Sequence, residues 1–192
     1  MQEFWLCFVP LFVAVDAIGV LPIYTGLTSD LDGKSHRAII FQALLTATCV
    51  TLFFLMFGPQ LLIFLGITVP DFMISGGILL LAISLADLFT GEKTQRKLDP
   101  QSMGAFPIGI PLITGPGVLT TCMLLASSHG KWMTAWAFMA NIVFVGIVFW
   151  SAESINKFIG VAGMKAFSKV ASMLLASIAV MLIRKGILAF MA

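Results

Sequence analysis

Apolar residues run along this chain in stretches of about twenty, the length a helix needs to cross a bilayer. Six helical spans are predicted on that pattern. They cover Phe4 to Thr25, Ala38 to Phe57, Phe72 to Phe89, Phe106 to Ala126, Trp132 to Ala152 and Ala166 to Phe190. A short apolar stretch, Pro59 to Val69, links the second span to the third. The polar segments between spans carry charge unevenly. Lys34 and Arg37 fall in the first loop, Lys93, Arg96 and Lys97 in the third, and Lys157, Lys165 and Lys169 in or beside the fifth. Only Lys131, Arg184 and Lys185 fall on the other side. Positively charged loops stay in the cytoplasm, so both termini are expected outside.

Three spans precede the polar stretch 91–103 and three follow it. An odd number per half inserts the halves in opposite senses, which invites a search for an internal repeat. Residues 15–22 read VDAIGVLP and residues 113–120 read ITGPGVLT, matching at Gly-Val-Leu when Gly19 is set against Gly117. A weaker echo joins ILLLAI at 78–83 to MLLASI at 173–178. The expected architecture is an all-α integral membrane protein of six transmembrane helices, arranged as two inverted three-helix repeats (1–90 and 104–192) about a cytoplasmic linker.

Glycine and proline weaken a helix, and in lipid every freed backbone group needs a partner within the protein. The fourth span holds Pro107, Pro111 and Pro116 with Gly109, Gly115 and Gly117, which predicts a break at Thr114 to Gly117 near the midplane. The first span has a milder case, Gly19 and Pro22 after Asp16. A broken span offers half-helix ends, the N–H end to an anion and the C=O end to a cation. A carboxylate at bilayer depth costs about 2.5 to 3.5 kcal/mol on insertion scales. Two readings offset that cost: Asp16 lines a substrate or proton site, or it caps the helix that follows. Thr120 and Thr121 are either ligand donors or bonded to the carbonyl one turn back. Asn141 is a secondary candidate whose simpler role is an interhelical hydrogen bond. Thr46, Thr48 and Thr51 are expected to be packing residues. Asp71 and Asp87 lie near the ends of the third span.

Composition agrees with a bilayer. Of 192 residues, 59% are hydrophobic and 10% charged, with a mean hydropathy of +1.05. Soluble domains carry roughly a quarter charged residues. The net charge of +2 gives no argument for nucleic acid. Met-Gln-Glu-Phe-Trp at the start lacks the basic region of a removable signal peptide. Cys7, Cys49 and Cys122 are far apart and are expected to be small core residues. No catalytic, metal-binding or cofactor motif is present. Gly33-Lys34-Ser35 fails as a phosphate loop because Thr28 stands where its first glycine belongs.

The motifs resemble those of the MarC family of bacterial and archaeal inner-membrane proteins. Asp16-Ala-Ile-Gly19-Val-Leu-Pro22 resembles the family's first-helix motif, with Ala17 where proline is common. Pro111-Leu-Ile-Thr-Gly115-Pro116-Gly117 is similar to its fourth-helix motif. The stretches from Ser75 and Ser177 resemble its third and last helices. The resemblance implies six helices and, for some members, transport of glycine- or alanine-like amino acids. The expected function is therefore secondary transport of a small neutral amino acid. Its site would comprise Asp16, Ala17, Ile18, Gly19 and Pro22 from the first half, and Thr114, Gly115, Pro116, Gly117, Thr120 and Thr121 from the second. Asp16 would also hold a coupling proton or sodium ion. The sequence leaves open an exporter of another solute, a channel, a structural membrane protein and a homo-oligomer.

Overall fold

The computed structural model describes residues 2–28, 31, 33–89 and 100–191. The described residues are almost entirely helical and contain no strand. The helices are α1 (Gln2–Val15), α2 (Ala17–Thr28), α3 (Gly33–Leu65), α4 (Val69–Phe89), α5 (Pro100–Met103), α6 (Pro116–His129), α7 (Lys131–Trp150) and α8 (Ala152–Met191). Between α5 and α6, Gly104–Ile113 forms an irregular, widely wound segment. Five helical runs are long and apolar enough to cross a membrane, and α6 with Gly104–Ile113, meeting at 57°, makes a sixth if taken as one span.

Proline explains the irregular segment. The residue before a proline is pushed out of the helical region toward extended backbone. Phe106, before Pro107, has φ −138° and ψ 127°, and Ile110, before Pro111, has φ −130° and ψ 128°. The two X–Pro peptides are cis. Regular helix resumes at Pro116, whose fixed φ and missing N–H suit a first helical position. α4 begins with a reciprocal cap. Thr68 N–H donates to Asp71 Oδ2 (2.9 Å) and Asp71 N–H donates to Thr68 Oγ1 (3.3 Å).

Several expected boundaries move. The stretch from Pro59 is no linker: α3 runs unbroken to Leu65 and the turn is Gly66 to Thr68. One proline fits inside α3 because the remaining ladder and its neighbours hold the helix. Lys34 and Arg37 lie in the first turns of α3 rather than in a loop. The expected fifth loop, with Lys157 and Lys165, is the first half of α8, which has forty residues. The fourth span does not start as helix at Phe106, for the proline reason given above. Cys7 and Cys122 are buried, but Cys49 faces outward. Most of the linker 91–103, with Lys93, Arg96 and Lys97, lies outside the described residues.

Packing follows the small residues. The most extensive contact joins α4 to α8, Gly104–Ile113 lies along α3, α1 packs on α7 and α6, and α2 packs on α8 and α7. Tyr24 of α2 stacks on Phe149 of α7 at 4.3 Å. Large apolar side chains point outward, among them Phe64 (87% exposed) and Trp136 (70%). In water such a surface is costly, and in lipid it is the expected exterior.

Candidate functional site

The helical run of the first span is interrupted at Asp16, between α1 and α2. Its φ is 45°, the left-handed region that Asp and Asn reach more readily than other side-chain-bearing residues. The Asp16 N–H donates to Phe12 O (3.2 Å), and Gly19 N–H donates to Asp16 Oδ1 (3.1 Å). Asp16 is thus the N-cap of α2. Its second carboxylate oxygen, Oδ2, has no hydrogen-bond partner among the described residues. The carboxylate lies against the backbone of Gly19, where a Cβ would collide with Oδ2 and come within 2.9 Å of Oδ1. The small residue at position 19 makes room for the cap. Ala17 is buried at the start of α2. The side chains of Ile18 and Pro22 lie outside the described residues.

The second interruption is Thr114-Gly115. Thr114 N–H donates to Gly109 O (3.0 Å), closing the irregular segment. The buried Thr114 hydroxyl donates to Ala47 O of α3 (3.2 Å) and lies 3.2 Å from Thr51 Oγ1. A hydroxyl has one proton, so Thr51 is the donor in the second contact. Thr51, expected to be a packing residue, joins the two elements through this hydrogen bond. A lone threonine in an apolar helix gives no sign in sequence of which neighbour it meets. Gly115 is the N-cap of α6 and offers no side chain, so no side chain caps this helix end. Pro116 packs on α4 at Gly76, where a Cβ would collide with the proline ring.

Thr120 and Thr121 both make the local bond, the second of their two expected roles. Both hydroxyls donate to Gly117 O, at 3.1 and 2.7 Å, the ordinary bond of a helical threonine to the turn before it. Asn141 stands apart from both interruptions. Its side-chain amide donates to Ala137 O (2.9 Å) on its own helix and to Phe8 O (3.3 Å) of α1. It ties α7 to α1. The structure brings Thr114 to Gly117, Thr120 and Thr121 together. No hydrogen bond joins Asp16 to residues 114–117 among those described. What the two interruptions present is one unpaired carboxylate oxygen and one helix N-terminus without a side-chain cap. The first suits an ammonium or a small cation, the second a carboxylate.

A family model described as "MarC family integral membrane protein" matches residues 1–191. A UPF0056 membrane protein of Methanocaldococcus jannaschii is 32% identical over 192 residues, covering 94% of this chain and 84% of the relative. A second from the same archaeon is 32% identical over 199 residues, covering 97% of each. The UPF0056 inner membrane protein YhgN of Escherichia coli K12 is 28% identical over 191 residues, again covering 97% of each. No solved structure matches the chain. Matched along nearly its whole length, the chain belongs to the MarC family of integral membrane proteins.

Proposed function

We propose that this membrane protein is a secondary transporter of a small neutral amino acid of the glycine or alanine type. It would work in the cytoplasmic membrane, with two inverted halves rocking about a site between the interruptions. The E. coli relative's name, an inner membrane protein, supports the location. The observation that carries the reading is Asp16. An ionisable side chain in an apolar span marks function by default, and one of its oxygens is left without a protein partner. The substrate ammonium is assigned to Oδ2, and the substrate carboxylate to the N-terminus of α6 at Gly115 to Gly117. A proton or sodium ion bound at Asp16 would couple transport to a gradient. Thr120 and Thr121, bonded to Gly117 O, act by shaping the α6 turn rather than by contacting the substrate.

The Asp16 cap favours a second reading, in which the carboxylate only holds α2 in place and the chain is a channel or structural protein. Asp16→Asn separates the two. Asparagine caps a helix about as well as aspartate but carries no charge. Uptake of labelled glycine and alanine into proteoliposomes, with imposed proton or sodium gradients, is the readout. Transport predicts gradient-driven uptake that falls at least tenfold in Asp16→Asn, with the melting temperature kept. Uptake unchanged in that variant removes the carboxylate from the site. No uptake under any gradient, with folded protein, favours the second reading.

A further inference from the structure

A different part of the molecule gathers basic side chains around a cavity. Where α2 ends and α3 begins, an open cavity of about 560 Å³ is walled by Tyr24, Gly33, Lys34, His36, Arg37 and Trp150, among others. Lys34 and Arg37 are three residues apart and so share a helix face, where like charges repel. Neither makes an ion pair or hydrogen bond with the protein among the described residues. The Arg37 guanidinium lies over the Trp150 ring at 5.3 Å, a cation–π contact that consumes none of its N–H donors. His36 is only 7% exposed. Its Nδ1 is 3.2 Å from the Tyr24 hydroxyl, and Nε2 has no partner among the described residues. His36 lines the cavity, and a buried ring nitrogen without a partner is a group waiting for one. No carboxylate is among the described lining residues.

We propose that this cavity binds a phosphate group, held by Lys34, Arg37 and the Nε2 edge of His36. The guanidinium fork, the ammonium and the imidazole supply several donors to one tetrahedral anion. The positive end of α3 at Gly33 adds to the same field. The phosphate is that of a lipid headgroup or of a free phosphate compound. Trp150, 61% exposed beside the charges, gives the wall the mixed apolar and polar character of a membrane interface.

The test uses the purified full chain in a neutral detergent. It is titrated with dihexanoyl phosphatidylglycerol, dihexanoyl phosphatidylcholine, sodium phosphate, or sodium chloride at equal ionic strength. Thermal stability and tryptophan fluorescence are followed, with Trp150→Phe as the reporter control. The expected result is saturable stabilisation by phosphatidylglycerol or phosphate and none by chloride. The apparent Kd should rise at least tenfold in Lys34→Gln/Arg37→Gln. Saturation by phosphate itself identifies a free phosphate ligand, and saturation by phosphatidylglycerol alone identifies a lipid headgroup. If the double variant does not fold, Arg37→Lys keeps the charge and removes the fork, and its Kd should rise several-fold. Absence of saturation by every phosphate probe, or an unchanged Kd in the folded variants, overturns the proposal.

Discussion

Asp16 and Gly19 form a unit in which each residue explains the other. The left-handed backbone at Asp16 turns its carboxylate onto the first turn of α2, and the missing Cβ at Gly19 leaves room for it. Asp16→Ala removes the cap and should cost about 1 kcal/mol, while Asp16→Asn should cost little. Gly19→Ala should destabilise by more than a helical alanine would suggest, because its methyl meets the carboxylate. In Asp16→Ala/Gly19→Ala that collision is gone. The double variant should therefore be more stable than the sum of the single losses predicts, read by thermal unfolding in detergent. Strict additivity would mean the carboxylate does not sit on Gly19. The sequence exposed this pair through an acid in an apolar run, and both a capping and a binding role were legible there. It could not show that the cap uses only one of the two oxygens, because that depends on the backbone angle at Asp16. Nor could it show Thr51 meeting Thr114, a contact between residues 63 apart.

At the scale of elements, apolar length was the most legible signal, since about twenty apolar residues have few uses besides a span. Helix ends were less so. The α3 helix absorbs Pro59, and α8 continues through a stretch with Lys157 and Lys165, because polar residues outside a bilayer remain compatible with helix. α3 is about 50 Å long at 1.5 Å per residue, against about 30 Å of hydrocarbon, so it projects beyond the apolar layer. The prolines of the fourth span were legible as a break, but the irregular backbone begins ten residues before Thr114. The pairing of α4 with α8 rests on close approach. A Cβ at Gly186 would come within 2.6 Å of Ile74 Cγ1 and 2.9 Å of the backbone carbonyl of Pro70, which has little freedom to yield. Gly186→Ala should push α8 from α4 and cost about 1 to 3 kcal/mol, the range for overpacking. Gly66→Ala is a poor control because φ there is 66°. A better one is Ala189→Ser on the exposed side of α8, which should leave the melting temperature unchanged.

The whole molecule can be oriented from contacts between helix ends. Arg37, near the start of α3, meets Trp150, the end of α7. Lys131, the start of α7, donates its ammonium to Met56 O (2.9 Å) in the second half of α3. α3 and α7 therefore run in opposite directions. Gly104 lies beside Ile39 O, Thr114 bonds Ala47 O, and Met123 lies beside Gly58. The bent pair thus runs alongside α3 in the same direction, which favours one span over a loop that returns. Tyr24 stacks on Phe149, so α2 ends at the face where α3 starts and the chain begins at the opposite one. α8 leaves the end of α7 at that same starting face of α3, and Lys169 donates to Leu88 O near the end of α4 (3.0 Å). Met191 then finishes on the face where Gln2 begins. Taken as one span, the bent pair brings the crossings to six and both termini to one side, and reporter fusions at each end should then give the same sidedness. With Lys34 and Arg37 on the cytoplasmic face, a reporter that is active only outside should be active at both termini and silent when inserted near residue 93. Opposite reports from the two termini would make the bent pair re-entrant and would separate the Thr114–Gly117 interruption from any path across the membrane.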